Sequence, residues 1–134
     1  MNSESVINQI DEIHRLSKDA LTQKKIDLYL AVFSENVRYK QFDGKIIDKK
    51  ELRRNTKTYL HRLKTVKSEY ERKKYSLEGS RFTKHLIQKA TASITIFIFF
   101  TKKWTIEREG IYEWNKIEGI WKIERVEILN EKVY

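Results

Sequence analysis

Beyond Leu63 the spacing of apolar residues leaves the three-and-four rhythm of a helix and takes up the alternation of extended chain. Long β-rich runs follow at about Val66 to Leu77, His85 to Thr101, Trp104 to Lys116 and Ile120 to Leu129. Four strands in succession predict an antiparallel meander, with turns at Gly79-Ser80, Lys102-Lys103 and Glu118-Gly119. A sheet of this kind must cover its apolar face, and the helical patterns that precede it are the material for doing so.

Those patterns are compact. Val6, Ile10, Ile13, Ala20 and Leu21 form one helical stripe behind the capping candidates Asn2 and Ser3. Ile26, Tyr29, Leu30 and Phe33 predict a second helix closed by Asn36. Val37 to Phe42 reads as a short strand, Asp43-Gly44 as a tight turn, and Lys45-Ile46-Ile47 as the returning strand. Asp48 with Glu51 three residues later has the form of a capping box, and Leu52, Tyr59, Leu60 and Leu63 give the third helix its apolar face. The order is therefore α-α-β-β-α-β-β-β-β, an α+β class.

Neither repeat, low-complexity tract nor proline interrupts the 134 residues, so a single domain over 1–134 is expected. Charged residues reach 35%, but 40% hydrophobic and 12% aromatic residues supply a core and argue against disorder. With no cysteine, disulfides, thiolate chemistry and cysteine-ligated zinc are excluded. The first residues lack the pattern of a secretory signal, and the apolar run Ile94 to Phe100 is too short to span a bilayer; a cytoplasmic, membrane-free protein is expected. Most of the net charge of +9 lies between Lys45 and Lys74, where twelve Lys and Arg face four Asp and Glu.

Two stretches resemble a known superfamily. Asp27 through Leu52, reading DLYLAVFSENVRYKQFDGKIIDKKEL, and Tyr112 through Ile123, reading YEWNKIEGIWKI, are similar to the nuclear transport factor 2-like proteins, which include SnoaL-like cyclases and ketosteroid isomerases. The resemblance implies three N-terminal helices packed in a cone against a strongly curved, mainly antiparallel sheet. It also implies an open end that holds a small apolar ligand, and pairing of two copies through the sheet. The position matching the isomerases' acidic base is Gln41, which cannot abstract a proton as a carboxylate does. The helix-one tyrosine of those enzymes is absent from Ile13-His14-Arg15-Leu16-Ser17. Asp43, directly before Gly44, reads as a turn residue.

The remaining candidates carry a structural reading beside a functional one. Tyr39, Tyr59, Tyr112 and Trp114 either line a pocket or fill the core. Uninterrupted alternation puts Trp121, Ile123, Arg125 and Glu127 on one face, giving an apolar floor followed by a charged pair, whereas a bulge would reverse that facing. The pocket set expected from these residues is Tyr39, Gln41, Tyr59, Trp121 and Arg125. Ile94, Ile96, Phe97, Ile98 and Phe99 belong to a run apolar on both faces, and a homodimer is expected to bury them. Lys49, Lys50, Arg53, Arg54, Lys57 and Lys64 give the third helix a basic side suited to phosphates or simply to solvent.

His14, His61 and His85 show no metal-ligand spacing, and no metal or cofactor is expected. The leading expectation is a dimeric small-molecule-binding protein without the isomerase-type acid. Its alternatives are a cyclase, isomerase or hydratase that uses His14 or the Arg125 and Glu127 pair, and a protein or nucleic-acid interaction module built on the basic helix.

Overall fold

The computed structural model describes residues 3–95 and 101–134. Helix α1 (Ser3–Thr22), the short α2 (Ile26–Leu30) and α3 (Lys49–Arg62) lie on the inner side of a curved, unclosed six-stranded sheet. Its strands are β1 (Phe33–Lys40), β2 (Ile46–Ile47), β3 (Thr65–Glu78), β4 (Arg81–Thr95), β5 (Thr101–Ile117) and β6 (Ile120–Val133). Across the sheet the order is β2-β1-β6-β5-β4-β3, with β1 and β6 parallel and every other pair antiparallel. The expected meander is thus present, and the early hairpin joins it beside the last strand.

The local chemistry of the turns follows their residues. The Asp43 carboxylate accepts from the Lys45 amide at 2.9 Å, and Gly44 takes a φ of +87° that a side chain would resist. Glu118 and Gly119 both adopt positive φ, the conformation of a two-residue hairpin turn. Asp48 accepts from the Glu51 amide at 2.8 Å and so caps α3. Asn2, the other expected cap, lies outside the described residues.

Val6 and Ile10 of α1, Leu52 of α3, and Phe82, Leu86, Trp114, Trp121, Ile123, Val126 and Ile128 of the sheet make one buried cluster. Complete burial of side chains the size of Phe82 and Leu86 contributes about 1.5–3 kcal/mol each. A smaller cluster, Leu60, Leu63, Val66 and Ala92, closes the sheet over the end of α3.

Three expectations are corrected. The second helix stops at Leu30 rather than Asn36, because Phe33 begins β1 and pairs with Ile123 while the Ile123 amide donates to Val32 O at 2.8 Å. Phe33 sits three residues after Leu30, so its burial satisfies a helical and an extended reading alike. Lys102 and Lys103 are not a turn; they belong to β5, opposite Ile94 and Ser93. Arg125 and Glu127 point outward, because Glu124 is an extra residue between the pairs Glu113/Arg125 and Trp114/Ile123. Val126 and Ile128 take the inner positions instead.

One interior feature has no apolar signature. Lys84, on the inner face of β4, is fully buried with its Nζ 2.9 Å from Asp11 of α1 and 4.6 Å from the Tyr70 ring centroid. Arg72 of β3 binds the other Asp11 oxygen, and Tyr70 donates to the Asp11 carbonyl at 3.2 Å. Burial would raise the Asp11 carboxyl, but Lys84 and Arg72 hold it below the usual range. Removing the Asp11 carboxylate would leave the Lys84 ammonium buried without its counter-charge, so this cluster fixes where α1 lies on the sheet.

His14 completes it: its Nδ1 accepts from Lys84 Nζ at 3.1 Å, and its ring stacks on Tyr70 at 4.4 Å. Burial, seconded by the adjacent ammonium, depresses the imidazole to about 3 from 6.5. The unfolded chain takes up that proton near pH 6.5 while the folded chain does not, so this contribution is complete above that pH and is lost as pH falls toward 3. Unfolding free energy measured between pH 6.5 and 5 is expected to fall by a slope approaching ~1.4 kcal/mol per pH unit. The slope should flatten in His14→Gln; coincident slopes would contradict a neutral His14.

Candidate functional site

Between α2, α3 and the inner face of β4, β5 and β6 lies a cavity of about 470 Å³. Its walls are mainly apolar, formed by Leu21, Ile47, Leu52, Val66, Ala90, Ile106 and Ile128. The β1–β2 turn, with Gln41, Phe42 and Asp43, stands at its rim, and Phe42 is half exposed there. From α3 come Asn55, Thr56 and Tyr59, which share the helix side that also carries Leu52.

The polar end is built from α2, β1, β5 and β6. Arg108 of β5 and Glu131 of β6 are register partners, and the guanidinium Nε donates to the Glu131 carboxylate at 2.9 Å. That pairing depends on a second bulge, at Leu129, between the pairs Gly110/Ile128 and Glu109/Asn130. Without the extra residue Asn130 would stand opposite Arg108. Gly110 occupies the bulge site, where an added Cβ would come within 3.2 Å of the Glu127 carbonyl oxygen.

Tyr29 and Tyr39 reach the same end, with Tyr112 buried behind Tyr39. Burial first, and the neighbouring phenols second, push Tyr29 and Tyr112 above the usual phenol range, Tyr112 well above it. Burial also raises Tyr39 and Tyr59, against the opposing pull of Arg108. All four phenols therefore stay neutral and serve as hydrogen-bonding groups. Burial works against the charge of Arg108, yet Tyr39 and Glu131 outweigh it and hold the guanidinium protonated.

Of the expected pocket residues, Tyr39, Gln41 and Tyr59 line the cavity. Trp121 is buried in the main core cluster and Arg125 is exposed on the far face of the sheet; neither lines the cavity. Tyr112 backs Tyr39, and Trp114 is wholly buried. Ile94 is half-buried against Leu60, Leu63, Val66 and Ala92 within the chain, while Ile96, Phe97, Ile98 and Phe99 lie outside the described residues. Arg108 and Glu131 escaped sequence reasoning because a bulge has no reliable signature; Gly110 in mid-strand was the one available hint.

Among the described residues no group of three or more His, Asp or Glu is arranged to hold a metal ion. Among them, too, no helix is long and apolar enough to cross a membrane.

No protein-family model matches the chain, and no curated protein matches it in sequence. Solved structures do match in shape. The Kfla4162 protein from Kribbella flavida is 12% identical, with a TM-score of 0.82 over 98% of this chain and 95% of that one. A protein proposed to be a scytalone dehydratase, from Novosphingobium aromaticivorans, is 10% identical, with a TM-score of 0.84 over 97% and 87%. A hexachlorocyclohexane dehydrochlorinase, LinA type 2, is 6% identical, with a TM-score of 0.76 over 97% and 89%. At such identities the likeness speaks for architecture alone. The helices, the curved mixed sheet and these neighbours together give the chain the nuclear transport factor 2-like cone fold.

Proposed function

We propose that this protein binds a small, largely apolar molecule in the cone. The observation that carries this reading is the cavity itself: about 470 Å³, apolar over most of its wall, with a limited set of polar groups among the lining residues. Small-molecule sites generally have this size, roughly 300–1,000 Å³, and this division of surface. Binding rather than turnover is the better-supported activity. Gln41 lines the wall where the isomerase resemblance would require an acid, and Arg125 and Glu127 face away from the cavity. His14 is neutral and committed to Lys84, and it is not part of the wall.

Pairing of two copies through the outer face of the sheet belongs to the same reading. Its support is the partly buried, partly apolar strip on that face formed by Ile87 and Ile111 with the His85–Glu109 pair, whose atoms are 2.7 Å apart.

Ala90 lies on the cavity wall in the middle of β4, and Ala90→Phe places a ring in the empty volume. Native mass spectrometry and titration with a hydrophobic fluorescent probe should show binding by the natural protein and at least a tenfold loss in Ala90→Phe, with the fold retained by circular dichroism. Equal binding by the two proteins would remove the cavity from consideration.

A second reading concerns the solvent side of α3. Lys49 and Arg53 are engaged with Glu35 and Asp27 respectively, but Lys50, Arg54 and Lys57 form no ion pair among the described residues. Like charges at this spacing oppose one another by about 0.2–0.5 kcal/mol per pair, a cost with no return inside the chain. A polyanion would supply one. Affinity for a single-stranded oligonucleotide should then fall steeply between 50 and 200 mM salt, and the slope should shrink in a Lys50→Gln, Arg54→Gln, Lys57→Gln variant. Salt-independent or undetectable binding would leave α3 as a solvated face.

A further inference from the structure

We propose that the ligand of the cavity is a monocarboxylate, an apolar body carrying one carboxylate that docks end-on against the Arg108 guanidinium. This rests on the ligand-binding role of the cavity and specifies its chemistry.

A guanidinium carries five N–H donors, and Arg108 uses one. Among the described residues its one hydrogen bond and its one ion pair are the same contact, Nε to Glu131 at 2.9 Å. Among the described residues the Nη nitrogens have no partner, although Arg108 sits on the cavity wall among Tyr29, Tyr39 and Tyr59. Its side chain keeps 40% of its exposure, so the unused end of the fork is reachable from the cavity rather than sealed in the core. Two parallel Nη–H groups match the two oxygens of a carboxylate, a geometry an ammonium could not offer.

The surroundings narrow the class further. Among the described residues Arg108 is the one cation lining the cavity, and Glu131 already offsets its charge there; Asp43 at the rim adds a second carboxylate. A dianion such as a phosphate monoester would add two negative charges beside a cation that Glu131 already offsets, whereas a single carboxylate adds only one, at the place where donors are free. The neutral phenols of Tyr29 and Tyr39 are hydroxyl donors beside the same spot. Beyond them Ile47, Leu52, Val66, Ile106 and Ile128 suit a hydrocarbon or aromatic body, while Asn55, Thr56 and Gln88 on the same wall supply neutral polar groups.

The test is calorimetric titration of the full chain with octanoate and 2-naphthoate, each against its neutral amide, octanamide and 2-naphthamide. The natural protein should bind the acids at least tenfold more tightly than the amides. Arg108→Gln should abolish that preference, and Arg108→Lys, which retains the charge but not the fork, should lose most of it. The Lys variant also serves if the Gln variant fails to fold. Equal affinity for acids and amides in the natural protein, or an acid preference that survives both substitutions, overturns the carboxylate assignment and leaves the cavity's binding role intact. Failure of all four probes to bind, with Ala90→Phe indistinguishable from the natural protein, overturns both.

Discussion

Two extra residues in the last strand decide what faces the inside of this protein. Strict alternation through β6 would carry Trp121, Ile123, Arg125 and Glu127 into the cone and expel Val126 and Ile128. Instead Glu124 and Leu129 are bulged, and the inner set becomes Trp121, Ile123, Val126, Ile128 and Glu131. The first bulge keeps charge out of the core; the second returns a single carboxylate to the inside at the level of Arg108. Both the apolar floor and the polar end of the cavity therefore depend on these irregularities, which also add the local twist a curling sheet requires.

Charge inside the cone is handled in two different ways. Around Lys84 the wholly buried ammonium is held by Asp11, His14 and the Tyr70 ring, with Arg72 on the other Asp11 oxygen, and the group ties α1 to β3 and β4. Around Arg108 the charge is neutralised by Glu131 but left with unspent donors at an open volume. The first arrangement is what a structural cluster looks like and the second what a binding site looks like, although both are ion pairs on the inner face of one sheet.

Much of the fold was legible because it rests on periodicity and turn chemistry. The stripe of α1, the Asp43-Gly44 turn, the Asp48 cap of α3 and the Glu118-Gly119 hairpin are written in residues whose physical roles allow few alternatives. The end of α2 was not, since Phe33 is buried whether the chain is helical or extended there, and tertiary pairing with Ile123 decides. Lys102-Lys103 reads as a turn because two charged residues interrupt the apolar run there, yet it carries none of the usual turn residues and lies within β5. The cavity was only partly visible: Tyr39, Gln41 and Tyr59 follow from a regular strand and helix, whereas Arg108 and Glu131 meet across a bulge that alternation cannot anticipate.

Because the chain contains no cysteine, the facing of β6 can be measured directly by introducing one cysteine at a time and timing its reaction with a thiol reagent in the native state. The account predicts slow labelling at positions 121, 123, 126 and 128 and rapid labelling at 125, 127 and 129. Slow labelling at 125 and 127 with rapid labelling at 126 and 128 would mean an unbroken strand, and would contradict the bulged β6 on which the cavity depends.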